Sequence, residues 1–419
     1  MVVNDIIQKG KQMMEKQMNL GLQALELEFG TSTVKKVIEN VKNYKVEVPS
    51  WVFGRFGGGR FGDYMPPGAA RDVREKLDDA AIVHKLTGAT DTVAMHILWD
   101  FSDDGMEGDM AVVEQVAKET HSRGLKIGAI NPTYFLEGSE RGSLSATEEH
   151  TVKRYINQTI LGGKIAGEFG NKLITLWLPD GSLYPGQVEL KKAQDILFNS
   201  LYEIWQNIDK DITILIEYKV FEPGTYSTLL SDWGSAYMGA KNLGDNVGVL
   251  VDMGHHHQGT NIEQIIARLI SDGGKGGFHF NTRYAADDDH AVEPNGEMAR
   301  IFYELVAGNV IFNKDPQKNW AFMIDQCSSR ENRIHALIHT VDSLQASLAR
   351  ALLVDQSRLE EFQKNDEIIL ANRFFNNATL NADVRPIIWA ARQEKNLPFD
   401  PVMAFVESGY QQKIEKERS

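Results

Sequence analysis

The run VGVLVDMGHHHQGTNIEQIIARLISDGGKGGFHFN (247–281) decides the fold class. Its first seven residues, Val247–Met253, are apolar at both alternating faces, as in a strand covered on each side. Ile262, Ile265, Ile266, Leu269 and Ile270 then recur at the spacing of one helix face. Asn261 stands where an N-cap belongs, and Gln264 where its reciprocal partner would sit. Gly277–Asn281 is again a short apolar run. Strand, helix, strand implies a right-handed crossover and a parallel sheet.

The same alternation extends in both directions. Val46–Phe53, Val93–Asp100, Lys126–Pro132, Lys172–Asp180, Thr213–Lys219 and Trp320–Gln326 complete eight apolar runs. A second clear helix face follows the fourth run, at Leu190, Ala193, Leu197, Leu201 and Ile204. Eight strand–helix units predict an α/β chain closed as a (β/α)8 TIM barrel. A doubly wound open sheet is the alternative, and the Gly-rich stretch Gly54, Gly57, Gly58, Gly59 and Gly62 would suit one. That stretch also carries Arg55, Phe56, Arg60 and Phe61, with no helix promptly after it, so it reads as a long loop. Residues 1–45 read as an N-terminal helical segment and 46–354 as the barrel, with His335–Val354 its last helix. Residues 355–419 read as a helical extension expected to pack on the barrel or on a neighbouring subunit.

Composition narrows the class. The 419 residues are 42% apolar and 24% charged, which excludes a disordered or disulfide-stapled chain. A net charge of −14 disfavours nucleic acid and anionic membrane as partners. Cys327 is the single cysteine, so no intrachain disulfide can form, as suits a reducing cytoplasm. No apolar run approaches the ~18 to 20 residues of a membrane span. Met1–Met18 mixes charged and apolar residues as an amphipathic helix does, not as a signal peptide does. A soluble cytoplasmic protein is the expectation.

In a parallel barrel, chemistry sits at the carboxyl ends of the strands. The fifth run ends in Glu217 and Lys219, and the sixth in Asp252, with His255 just beyond. The seventh carries His279, with Asp287 and Asp289 in the following loop, and the eighth ends in Asp325. Five carboxylates and two imidazoles thus meet at one rim. Five like charges would repel strongly unless countered. Two divalent cations would remove most of that cost. With one bridging carboxylate, each cation would have four protein ligands. Oxygen-rich sets with one imidazole each suit Mn2+, Mg2+ or Co2+ better than structural zinc.

EYKVFEPGTYST (217–228), DWGSAY (232–237), LVDMGHH (250–256), NIEQIIARLI (261–270), GGFHFN (276–281), YAADDD (284–289) and MIDQ (323–326) closely resemble bacterial L-rhamnose isomerases of the broad-specificity branch. VPSW (48–51), KLDDAAIV (76–83), HILWD (96–100), WLPDGSLYPGQ (177–187) and ALLVDQ (351–356) extend the resemblance over nearly the whole chain. It implies a (β/α)8 barrel, a homotetramer, Mn2+ and interconversion of L-rhamnose with L-rhamnulose. D-allose, L-mannose and L-lyxose are further candidate aldoses. By the same resemblance one cation is held by Glu217, Asp252, His279 and Asp325. The other is held by bridging Asp252, His255, Asp287 and Asp289.

Aldose–ketose isomerisation moves hydrogen between C1 and C2, which suits cations that polarise both oxygens. Asp325 is the candidate base and Lys219 the candidate donor to the C1 oxygen. His96, near the end of the second run, is the candidate for opening the sugar ring. Trp51 and Trp177 end the first and fourth runs, where indole faces can cover sugar C–H surfaces. Phe56 and Phe61 are expected to help cover the site, over this subunit or a neighbour. Cys327 stands where the family has serine, and Thr282 and Arg283 replace the usual small acidic and hydroxyl residues. These departures bear on substrate preference, and Cys327 also on sensitivity to oxidation. Competing readings are a ketose epimerase, a metal-dependent hydrolase or nuclease, and a sugar-binding protein without turnover. The acidic charge disfavours the nuclease, and the intact ligand set disfavours the binding protein.

Overall fold

The computed structural model describes residues 2–54, 65–103, 105, 108–222, 226–283, 290–328 and 330–419, with backbone alone for 2–11. Phe56, Phe61, Asp287 and Asp289 lie outside the described residues. Eight strands pair in parallel: β1 (Val48–Pro49), β2 (Thr92–His96), β3 (Lys126–Asn131), β4 (Leu173–Trp177), β5 (Thr213–Glu217), β6 (Val247–Asp252), β7 (Gly276–Phe280) and β8 (Ala321–Ile324). They follow one another around the sheet in chain order. Glu47 closes the ring against β8: its N–H donates to the Phe322 carbonyl, and Ile324 N–H donates to the Glu47 carbonyl, each at 2.9 Å. The expected barrel is the observed architecture.

The local chemistry matches the elements. Every residue of β6 and β7 is buried, Asp252 and His279 included, as in strands covered on both faces. Asn261 caps the helix Ile262–Ser271 by accepting from Gln264 N–H, and Ile262, Ile265, Ile266 and Leu269 are its buried face. The first strand is shorter than its apolar run. Only Val48–Pro49 pair with β2, and Trp51–Phe53 form one 3-10 turn. Pro49 has no N–H to donate, which limits the ladder there.

The terminal segments share a core. Leu25, Val34, Val37 and Val41 from the helices Val2–Phe29 and Thr31–Asn43 pack with Leu353, Leu359, Ala371, Ile387 and Ile388 near the other end. Beyond the barrel, three short strands (Gly181–Ser182, Phe221–Glu222 and Tyr226–Thr228) form a small antiparallel sheet over the exits of β4 and β5. The apolar runs gave no hint of this second sheet, because its strands are two or three residues long.

Candidate metal centre

Strand register assembles the centre. His279 pairs with Asp252 across β6 and β7, and Glu217 pairs with Leu250 across β5 and β6, on the same side of the ring. Asp325 follows β8 directly, with its N–H donating to the Phe280 carbonyl. One ligand atom each from Glu217, Asp252, His279 and Asp325 lies within 4.8 Å of the others. His279 turns Nδ1 into this cluster, 3.3 Å from Glu217 Oε1, 3.5 Å from Asp252 Oδ2 and 3.7 Å from Asp325 Oδ2. Three carboxylates and one imidazole converging on one point fit a divalent cation with oxygen-rich preference.

His255 uses its nitrogens differently. Its Nδ1 lies 3.0 Å from the Tyr218 carbonyl, which can only accept, so Nδ1 carries the hydrogen. In a neutral ring Nε2 would then carry the lone pair that a cation takes, whereas without metal it is the charged ring that bears on Asp252. Behind it, His256 repeats the pattern: Nδ1 donates to the Met253 carbonyl, and Nε2 accepts from Tyr218 O–H at 2.6 Å. Burial holds His256 down to about 4, so it stays neutral. This layer fixes the His255 ring, as outer partners of metal-binding histidines do.

Burial works against ionising Asp252, but His255 and His279 beside it outweigh that and hold its carboxyl well below the usual range. Gly254 N–H donates to its Oδ1 at 2.7 Å, and Asn281 Nδ2 donates at 3.0 Å. Asp325 moves the other way. Burial, together with the charges of Asp252 and Glu217, pushes it up to about 7, opposed by His279 and by the Trp51 indole. Burial penalises the charged ring of His279, yet Glu217 and Asp252 hold its affinity for a proton well above normal. The cluster is short of positive charge, and a proton on His279 occupies the place a cation would take.

The remaining candidates line the exits of β1 to β5. Trp51 Nε1 donates to Asp325 Oδ1 at 3.0 Å. Lys219 stands just past the end of β5 rather than on it, and is buried. Its Nζ lies 2.9 Å from Glu222 Oε1 and 5.2 Å from the Trp177 ring centre. His96 ends β2, and its Nδ1 shares a 3.0 Å hydrogen bond with Thr133 Oγ1. Asp100 accepts from the His96 backbone N–H, not from the ring. Burial lowers His96 to about 4, leaving a neutral imidazole.

Sequence reasoning missed two aromatic neighbours and one acid. Trp99 and Phe135 sit 5.5 and 6.0 Å from the His96 ring and 6.0 Å from each other. With Trp51 at 4.8 Å from His96, and Trp177 at 5.6 Å from Phe135, they make a continuous aromatic wall. Trp99 adopts φ +75°, a region costly for a bulky side chain and a mark of constraint near working sites. Nothing in the composition of HILWD signals that twist. Glu222, the partner of Lys219, was legible only as one more acid in EYKVFEP.

The profile of the L-rhamnose isomerase (RhaA) family matches residues 47–380. A probable sugar isomerase of Mesorhizobium japonicum is 34% identical, over 90% of this chain and 87% of its own. A probable sugar isomerase of Rhizobium meliloti is 33% identical, over 92% and 89%. The L-rhamnose isomerase of Bacteroides thetaiotaomicron is 22% identical over 80% and 82%. Among solved structures, an L-ribulose 3-epimerase superposes with a TM-score of 0.51 at 13% identity, covering 78% of this chain and 98% of its own. That likeness shows the barrel fold alone.

Proposed function

The chain belongs to the L-rhamnose isomerase family, and on that premise we propose that this isomerase interconverts L-rhamnose and L-rhamnulose with two divalent cations, Mn2+ foremost. D-allose, L-mannose and L-lyxose are its secondary aldoses. The convergence of Glu217, Asp252, His279 and Asp325 within 4.8 Å carries the reading. When bound there, divalent cations polarise the carbonyl and acidify the adjacent hydroxyl. His255, with Nε2 presented, would hold the second cation beside Asp252, completed by Asp287 and Asp289.

The chain's own groups divide the remaining work. Neutral His96, with Nδ1 engaged by Thr133, has Nε2 left to meet the sugar ring oxygen during opening. Lys219, held by Glu222, offers its N–H to the C1 oxygen. Asp325, oriented by the Trp51 indole, receives the hydroxyl proton. Trp51, Trp99, Phe135 and Trp177 cover apolar sugar surface and exclude water. Phe56 and Phe61 are assigned to the cover of the site.

Residues 46–354 form the catalytic unit in this reading. No helix among the described residues is long and apolar enough to cross a membrane, and a cytoplasmic location is inferred. A homotetramer is proposed, with contacts from the 355–419 helices, where Ile368, Ile369 and Leu370 are exposed. Light scattering of the purified chain checks the assembly.

The deciding experiment measures ketose formation from the four aldoses after EDTA treatment, with and without Mn2+. Turnover only with metal, fastest on L-rhamnose, is expected. No turnover of any aldose by demonstrably metal-loaded protein would sink the assignment.

A further inference from the structure

We infer that Thr133 is a positioning residue that fixes the tautomer of His96, so that His96 presents Nε2–H to the sugar cavity as a hydrogen-bond donor. The use of that donor on a sugar ring oxygen rests on the isomerase reading above; the tautomer itself does not.

Hydrogen counting decides the direction of the bond. Thr133 is fully buried, and its hydroxyl meets one partner among the described residues, His96 Nδ1 at 3.0 Å. A neutral imidazole carries one hydrogen, on one nitrogen or the other. If Nδ1 carried it, the ring would donate to Thr133 Oγ1, and the buried hydroxyl hydrogen would face no acceptor. An unmet buried donor costs its full desolvation. If Nδ1 is bare, Thr133 O–H donates to it and both groups are satisfied. The one ring hydrogen is then on Nε2. That nitrogen meets no protein group among the described residues, and the ring is only half-buried. Burial holds His96 down to about 4, so the ring is neutral near pH 7.

Both partners are held in place. Gln158, buried on the helix Glu149–Glu168, bonds both sides of the Thr133 backbone. Its Oε1 accepts from the Thr133 N–H at 2.7 Å, and its amide nitrogen donates to the Thr133 carbonyl at 2.9 Å. A side-chain amide thus does what a neighbouring strand would do, just past the end of β3. On the other side, Asp100 accepts from the His96 backbone N–H at 3.0 Å and from Lys76 Nζ at 2.7 Å. Trp51 and Trp99 flank the imidazole edge-on. A sugar ring oxygen can only accept, so Nε2–H is the tautomer that meets it. The other tautomer would set two lone pairs against each other. His96 acts here as a fixed donor, with no proton leaving the ring.

The test is nuclear magnetic resonance of the full chain labelled with 15N-histidine, loaded with diamagnetic Mg2+ near pH 7.5. His96→Gln identifies the His96 signals. Wild-type His96 is expected as one tautomer, with its hydrogen on Nε2. Thr133→Val keeps the shape and removes the hydroxyl; it should abolish that preference, and Thr133→Ser should restore it. Thr133→Val should also lower kcat/KM for L-rhamnose about 10-fold at unchanged Mn2+ affinity, with Thr133→Ser close to wild type. Wild-type His96 with its hydrogen on Nδ1 would overturn the assignment, and that reading needs no variant to fold. An unchanged tautomer or an unchanged kcat/KM in Thr133→Val would overturn it equally. A wild type that turns over no aldose would instead overturn the isomerase reading, and the spectrum alone would then decide the tautomer.

Discussion

The two ends of this barrel bury carboxylates in opposite ways. At the mouth, Glu217, Asp252 and Asp325 converge around His279. At the floor, Glu47 is buried, and among the described residues it forms no ion pair with a Lys or Arg. Its Oε1 accepts from Ala129 N–H at 2.8 Å, and Oε2 faces Asn171 Nδ2 at 3.4 Å. A side chain at position 128 would collide with Oε2, so Gly128 makes the room. Burial pushes Glu47 up to about 7, against the pull of the Ala129 N–H. One end pools its acids around His279, with Asp252 held low and Asp325 pushed up to about 7, so that positive charge entering there would complete their ionisation. The other lets a lone acid hold its proton. Burial alone does not make a site; convergence does.

Four measurements would break or sharpen that contrast. Asp325→Asn should fold normally and lose about 10²- to 10⁴-fold in turnover, measured as ketose formation at saturating Mn2+. Wild-type rates would remove Asp325 from the chemistry. Stripping the cation should destabilise the mouth. Thermal unfolding should rise with Mn2+, by about 3 to 4 kcal/mol at 100 to 1,000 times Kd. A melting temperature indifferent to metal would contradict a site formed only in the folded chain.

Glu47→Gln probes the floor. Because the folded pKa lies above the ordinary value, Glu47 favours the fold below about 4.5 and loses that contribution as pH rises through about 7. The glutamine variant should therefore gain stability relative to wild type above pH 7, on the order of 1 to 3 kcal/mol, with its Mn2+ response intact. Urea unfolding at pH 5.5 and 8.5 reads the sign. His96 gives the smallest effect. Its folded value, depressed from 6.5 to about 4, means stability declines as pH falls through that window. Between pH 6.5 and 4.5, His96→Gln should show a flatter stability profile than wild type, by denaturant titration.

The barrel was legible because buried parallel strands leave continuous apolar runs and their helices leave one-sided faces, as at Ile262–Ile270. The cluster Glu217, Asp252, His279 and Asp325 was legible because strand ends in a barrel converge, so four separate polar residues had one destination. What resisted reading depends on backbone detail. The turn that swings Trp99 over His96 leaves no pattern in four residues. Phe135 reaches the wall from a loop whose path is set by distant contacts. Glu47 looked like one more polar residue before a strand, since only Gly128 across the ring shows where its oxygen goes.

Glu47 has a consequence in time as well as in space. It pairs with Phe322 and Ile324, so the first strand region cannot meet its last neighbour until almost the whole barrel has been synthesised. For roughly tens of seconds at ordinary synthesis rates, the nascent chain carries an open sheet with two unpaired edges. Pairings so distant in sequence form slowly. Until the ring closes, the edges of a partly formed sheet are open to pairing with another copy of the chain.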